Sequence, residues 1–419
     1  MHPVSLPIQG YRGALFAPRR SDTKGIAPQS RAHRSAAYFI YAYYNSRYVS
    51  YKTSPPVRAI AQCRARIAHA WRSKRRIMLF SSLFFIYGFL PPLLILFYAV
   101  PRTGFRRALL IIASLLFYAW GEPIYVLLMI GTVLADWLLG RLIGEQGGKS
   151  DRARRVLCVL TVLINIALLG VFKYTDFIIG TVNSVFGCSL PLPGIRLPIG
   201  ISFFIFQALS YIIDVYRGMY PPQRSLSRLL LYISFFPQLI AGPIVRYGDI
   251  APALDEIKPD THDVFRGVCR FARGLGKKVL ISNYCAAAVA ALDALTGAPA
   301  LTTVWARALL FTLQIYFDFS GYSDMAIGLG RMLGFDFPEN FNYPFVSASA
   351  TEFWRRWHIS LSSWFRDYLF YPVLRSRAMN SLSRSLRAHG HKKAARAAIT
   401  VTALLCVWSA TGLWHGASW

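Results

Sequence analysis

From position 78 onward the chain alternates between long apolar runs and short, mostly basic connectors. The runs cover approximately 79–100, 106–121, 123–140, 156–173, 197–216, 226–246, 266–294, 301–317, 319–335 and 397–415. Several approach the roughly 20 residues that a helix needs to cross the hydrocarbon core of a bilayer. The pattern therefore predicts an all-α, polytopic membrane protein. Pro91-Pro92, Pro123, Pro198, Pro237 and Pro243 predict kinked or broken helices, tolerated at membrane depth where protein surrounds them. Two stretches are not expected to cross: 180–196, rich in Gly and Pro, and 226–246, a re-entrant segment around Phe235-Phe236-Pro237-Gln238-Leu239-Ile240-Ala241-Gly242-Pro243.

The stretch from Thr351 to Tyr371 breaks the pattern, because Arg355, Arg356, Arg366 and Asp367 are too many charges for a lipid-exposed span. On a helical wheel Trp354, Trp357, His358, Leu361, Trp364, Phe365 and Tyr368 share one broad face. That spacing predicts an amphipathic helix at the cytoplasmic surface with His358 on its buried face.

Composition agrees with a membrane protein: 54% of the 419 residues are hydrophobic and only 16% charged, against roughly 25% charged in a soluble domain. The formal charge of +28 does not point to nucleic acid, since the basic residues lie between apolar segments rather than on one soluble stripe. They orient the chain instead. Arg102, Arg106 and Arg107, then Lys149, Arg152, Arg154 and Arg155, then seven Lys/Arg with no acid between Arg375 and Arg396 are expected to face the cytoplasm. Residues 1–77 hold fifteen Lys/Arg against one acid, Asp22. With the first two basic loops inside, the first span starts outside, so this leader would have to be exported, which the same rule disfavours. The expectation is a disordered leader or a start codon placed too early, with Met78 as the preferred start and 78–419 as the transmembrane domain.

Ionisable side chains inside apolar segments mark the candidate chemistry. His415, in Gly412-Leu413-Trp414-His415-Gly416, lies nineteen residues beyond Arg396, about 28 Å along a straight helix. It is either a proton handler or an interfacial residue beside Trp414. His358, in Trp354-Arg355-Arg356-Trp357-His358, is either a second member of the site or a core histidine bonded to a neighbour. Asp318 and Asp324 flank Phe319-Ser320-Gly321-Tyr322-Ser323. Either they orient a histidine through its second nitrogen, or they hold a helix break at Gly321. The six cysteines form no C-x-x-C pair, and His389-Gly390-His391 sits in a basic loop without acid or cysteine, so no metal site is expected. No Walker loop or G-x-S-x-G elbow is present.

Together the motifs resemble the membrane-bound O-acyltransferase (MBOAT) family, in its bacterial alginate O-acetyltransferase-like branch, from about Met78 to Trp419. The points of resemblance are Ser114 to Glu122 (SLLFYAWGE), Leu197 to Phe204 (LPIGISFF), Asp214 to Gly218 (DVYRG), Phe236 to Ile244 (FPQLIAGPI), Asp318 to Asp324 (DFSGYSD), the His358 segment through Leu369, and Leu413 to Gly416 (LWHG). The resemblance implies a ring of transmembrane helices with re-entrant and amphipathic segments around a thinned centre. It makes His415 the essential catalytic residue and His358 its partner, supported by Asp318, Asp324 and Trp414. It implies no bound cofactor, cytoplasmic acetyl-CoA as co-substrate with Arg355, Arg356 and Arg366 attracting its anionic head, and an extracytoplasmic polysaccharide as acceptor. A periplasmic or surface O-acetyltransferase partner and the bacterial inner membrane follow from the same branch. Relatives continue beyond the position of Trp419, so the sequence is expected to be truncated at its C-terminus, with its activity left open. Teichoic acid D-alanyl transfer, a transporter or channel, and an inactive remnant are the alternative functions.

Overall fold

The computed structural model describes residues 78–146, 148–295 and 299–418. The basic leader and Cys63 lie outside the described residues. Those described are helical, with no strand among them, and they make a multi-pass membrane protein.

The first helix, α1 (Phe84–Ala99), opens as a π-turn over Phe84–Phe89, and Pro91 and Pro92 sit at the start of its regular part, where their missing N–H groups leave few bonds unmade. It is followed by α2 (Thr103–Gly121), α3 (Tyr125–Glu145) and α4 (Asp151–Phe186). Ser150 caps α4 by accepting from Ala153 N–H at 3.2 Å, and Gly187 ends it in the left-handed conformation at φ 66°. Residues 187–200 are irregular, as the Gly and Pro content of 180–196 predicts, although α4 itself runs further than expected.

Next come α5 (Ile201–Arg217), the short helices α6 (Leu226–Ser234) and α7 (Phe236–Leu239), and α8 (Tyr247–Asp255). The break at Phe235 precedes Pro237, which cannot continue the hydrogen-bond ladder of α6. Gly200 begins α5 at φ 76°, and a Cβ there would stand 2.6 Å from the Leu239 carbonyl oxygen, so this contact requires glycine. α5 is the centre of the molecule: Phe204 through Ile212 are all buried, as are Asp214 and Val215. The broken 226–246 segment packs beside it with Leu231, Tyr232, Ile233, Phe235, Phe236 and Leu239 fully enclosed. Buried backbone of this kind is stable at membrane depth because protein, not lipid, surrounds it.

Two long helices form a hairpin, α9 (Thr261–Asp293) and α10 (Leu301–Met332). Their seam is made by glycine against glycine. A Cβ on Gly267 would lie 2.7 Å from the Gly328 oxygen and one on Gly328 2.6 Å from the Gly267 oxygen. Gly274 and Gly321 repeat the relation at 2.5 and 2.8 Å. Lipid gives apolar helices no hydrophobic reason to associate, so close backbone approach of this kind supplies the packing. This corrects the expectation of two spans at 301–317 and 319–335: α10 is continuous through Gly321, whose lack of a side chain admits α9 rather than breaking the helix.

The chain then passes α11 (Ala350–Arg356), α12 (Ile359–Phe365), a π-turn over Arg366–Phe370, α13 (Tyr371–Leu374) and α14 (Arg377–Ala388), and ends in α15 (Lys392–His415). The single amphipathic helix expected over 351–371 is thus two helices parted at Trp357-His358. Among the described residues five helices, α2, α3, α4, α9 and α15, are long and apolar enough to cross a membrane.

Candidate active site

His358 occupies the break between α11 and α12. It adopts φ 46° and ψ 52°, a left-handed backbone that costs a non-glycine residue about 1–3 kcal/mol. Pairing with the segment 340–343 holds it there: Ile359 N–H donates to the Asn340 carbonyl at 3.0 Å and Asn342 N–H to the Arg356 carbonyl at 2.9 Å. Tyr343, at φ 45°, is the other non-glycine residue with positive φ among the described residues.

The imidazole is 4% exposed and its Nδ1 lies 3.1 Å from Asn340 Oδ1. The hydrogen bonds around Asn340 settle which atom of its amide faces the ring. Ser360 N–H and Ser360 Oγ–H both point at Oδ1, at 3.4 and 2.9 Å, and Nδ2 donates to Ser323 Oγ at 3.1 Å. Ser360 Oγ in turn accepts from Ile244 N–H at 2.9 Å, which commits its own proton to Asn340. Asn340 Oδ1 is therefore an acceptor, Nδ1 of His358 carries the proton, and Nε2 is left with its lone pair. Burial, with a smaller push from the nearby His415, lowers the His358 pKa from its ordinary value to about 3. The ring is neutral at any physiological pH.

Phe319 of α10 meets His358 edge to face at 4.7 Å, and Ser323, one turn later on the same helix face, reaches Asn340. The opposite side of the site is an aromatic stack. Trp364 donates its Nε1–H to the Phe206 carbonyl at 3.0 Å and lies flat against the Phe206 ring at 4.2 Å. Phe206 also stacks on Trp414 at 5.6 Å. Trp414 has His358 at 6.3 Å and His415 at 4.7 Å. The two histidines are thus neighbours of one indole. The sequence placed them at the cytoplasmic surface and the far end of the last span; the break at His358 instead turns this residue inward to meet α15.

His415 is the last residue of α15 and is exposed. Its Nδ1 lies 2.8 Å from the Thr411 carbonyl, which can only accept, so here too Nδ1 is protonated and a neutral ring offers Nε2. Two donors from α4 fix this end of α15: Tyr174 Oη–H bonds to the Leu413 carbonyl at 2.9 Å, and the Lys173 ammonium bonds to the Trp414 carbonyl and stands 5.5 Å from the Trp414 ring centre. They satisfy consecutive carbonyls that a helix terminus leaves without intrahelical partners, and the cation faces the negative end of the helix.

The aspartates stand elsewhere. Asp318 is held by Lys278, and Asp324 by Arg270 at 2.9 Å and Lys277 at 2.6 Å. Both carboxylates thus bond across the α9–α10 seam, and the residue on His358 Nδ1 is Asn340. Of the arginines considered for an anionic head, Arg356 bonds to Glu352 at 2.8 Å and Arg366 to Asp367 at 2.9 Å, while Arg355 is exposed. Asn340, Ser360 and Lys173 join the site without having been singled out by sequence. Lys173 carried a readable signal, a lone cation in an apolar run. No group of three or more metal-ligating side chains occurs among the described residues.

Comparison with known proteins matches residues 221–390 to the model of the MBOAT, membrane-bound O-acyltransferase family. The probable alginate O-acetylase of Pseudomonas syringae pv. tomato is 42% identical over 348 residues, covering 81% of this chain and 63% of its own length. The peptidoglycan O-acetyltransferase of Helicobacter pylori is 32% identical over 375 residues, 82% of this chain and 67% of that protein. The teichoic acid D-alanyltransferase of Bacillus subtilis is 34% identical over 184 residues, 41% of this chain and 44% of that protein. The chain spans less than two thirds of the length of the alginate O-acetylases it matches. On this similarity, and with the all-α fold in agreement, the chain belongs to the membrane-bound O-acyltransferase family.

Proposed function

We propose that this protein is an O-acyltransferase of the bacterial cytoplasmic membrane, moving an acetyl group from cytoplasmic acetyl-CoA toward hydroxyls of an extracytoplasmic polysaccharide, alginate or a similar glycan. The observation that carries the reading is the pair of Nδ1-protonated histidines sharing Trp414, each with Nε2 free of any hydrogen bond among the described residues. A neutral Nε2 is the atom that general-base catalysis of acyl transfer needs.

In this reading Nε2 of His415 takes the proton of the acceptor hydroxyl as its oxygen attacks the thioester carbonyl. The C–S bond breaks, and the thiolate leaves with the proton that the imidazolium returns. His358, neutral and locked by Asn340, lines the path and keeps a second lone pair facing a low-dielectric region. A separate periplasmic or surface transferase passes the group on to the polysaccharide. The alternative donor is the D-alanyl thioester of a small carrier protein, suggested by the teichoic acid D-alanyltransferase similarity over part of the chain.

The test is label transfer in membranes containing the full chain, supplied either with acetyl-CoA labelled in the acetyl group or with a D-alanyl carrier thioester. Label leaving acetyl-CoA for a hydroxyl acceptor supports the reading. Transfer from the carrier thioester alone selects the alternative, and transfer from neither overturns both.

A further inference from the structure

A cavity of about 480 Å³ opens between the C-terminus of α5, the strap before α8 and the turn joining α12 to α13. Three guanidinium groups line it, those of Arg217, Arg246 and Arg375, together with Asp214, Asp367 and Tyr368. None of the three arginines is used by the histidine site, and none belongs to the set Arg355, Arg356 and Arg366 that sequence suggested for an anionic ligand.

Of the two carboxylates in the wall, Asp367 is engaged at both oxygens and Asp214 at one, its Oδ1 being buried without a hydrogen-bond partner. Asp367 Oδ2 accepts from Arg246 at 2.8 Å and Oδ1 from Arg366, outside the cavity, at 2.9 Å. Asp214 is 3% exposed and accepts the Tyr368 hydroxyl at 2.7 Å. The arginines are not used up. Arg217 spends one N–H on the Asp367 backbone carbonyl at 3.0 Å. Arg246 Nη2 is buried without a partner. Arg375 rests on the Tyr371 ring at 5.7 Å. Neither Arg217 nor Arg375 has a carboxylate within ion-pair distance among the described residues. The Tyr368 ring carries Arg217 on one contact and Arg246 on another, each 5.2 Å from its centre, which draws both guanidinium groups to the same wall of the cavity. Guanidinium forks with spare N–H groups suit a planar or tetrahedral oxyanion bound bidentately, phosphate above all.

The cavity lies on the cytoplasmic side. Arg154, in the basic segment 149–155, donates to the Val215 carbonyl at 3.2 Å and so sets the end of α5 level with that segment. Arg375 opens the other basic stretch, 375–396. Tyr368 follows His358 by ten residues of mostly helical chain, a rise of about 15 Å. A ligand anchored here therefore stands one extended arm away from the two histidines.

We propose that this cavity is a phosphate-binding site and, resting on the acetyl-CoA reading above, that it receives the phosphoryl end of the donor while the thioester reaches toward His358 and His415. Arg217 and Arg375 supply the free charge, and Arg246 the buried N–H.

The test is equilibrium binding of coenzyme A and of inorganic pyrophosphate to the full chain in neutral detergent, in the wild type and in Arg217→Lys, Arg375→Gln and the control Arg387→Gln. Arg375 is exposed, so its variant keeps the fold. Saturable binding of both probes, weakened tenfold or more in Arg375→Gln and in Arg217→Lys but unchanged in Arg387→Gln, supports site and donor together. Pyrophosphate binding with that dependence but no binding of coenzyme A keeps the site and overturns the donor assignment. The same follows if nanodiscs containing phosphatidylglycerol, but not phosphatidylcholine, block pyrophosphate with that dependence, because the phosphate is then a lipid's. Equal affinities in all four proteins, or no saturable binding of either probe, overturn the site.

Discussion

His358 and His415 carry the same side chain in the same tautomer, and their surroundings could hardly differ more. His358 is held by a strained backbone, a chain of four hydrogen-bonding groups from Ile244 to Ser323, and an edge-on phenyl ring. Among the described residues His415 has one bond, to the carbonyl a turn before it, on a helix end fastened by Lys173, Tyr174 and the stacking of Trp414 on Phe206. In the reaction proposed above the two rings would take different parts. A ring buried and locked is suited to shaping a path, and a ring with a free face is suited to meeting substrate. Catalytic and structural contributions should therefore separate when each is disturbed.

The largest effect is expected at His415. His415→Ala should lower acyl transfer in membranes at least about 100-fold, the scale of a lost general base, while thermal unfolding moves by no more than about 0.5 kcal/mol, as at an exposed position. Retained transfer would erase the contrast. Asn340→Ala should do the reverse. It strips acceptors from both His358 and Ser360 and should destabilise the protein by about 2 kcal/mol or more in detergent denaturation, with a smaller loss of transfer than His415→Ala.

The third disturbance is acid. His358 titrates at about 3 in the folded protein, and at about 6.5 when unfolded. Its contribution to stability is thus complete above pH 6.5 and is lost as the pH falls from there toward 3, at up to about 1.4 kcal/mol per pH unit. Melting measured at pH 7.5 and 5.5 should show this loss, and His358→Gln should show a smaller one. An equal slope in the variant would mean that other groups carry the acid sensitivity. The smallest effect is expected at the fastening of α15. Tyr174→Phe removes one bond to the Leu413 carbonyl, worth about 1 kcal/mol, and should speed hydrogen exchange at residues 413–418 without changing that of the His358 segment.

Much of this arrangement was legible in the sequence because it rests on local pattern. Apolar runs marked the five helices able to span, Pro237 marked the break after α6, and ionisable residues in apolar company pointed to both histidines. What escaped was what depends on distant partners. Nothing in Asn340, in a proline-bounded loop eighteen residues before His358, announces that it orients the ring. The left-handed turn at His358 left no mark either, since Trp354 through Tyr368 keep a helical spacing straight across it. Gly321 misled for a related reason: a glycine within a helix pattern signals either a break or a close neighbour, and only the position of α9 decides which.

The glycine seam between α9 and α10 has a consequence for how this protein can vary. At most packed interfaces an enlarged side chain can be accommodated if its neighbour shrinks. Here Gly267 faces Gly328 and Gly274 faces Gly321, backbone to backbone, so there is no neighbour left to shrink. Any side chain added at one of the four positions must push the two helices apart. The separation would also stretch the ion pairs of Asp318 and Asp324 and shift the face of α10 that supports Asn340. Four residues with no side chain at all thus admit no second-site suppressor within the pair.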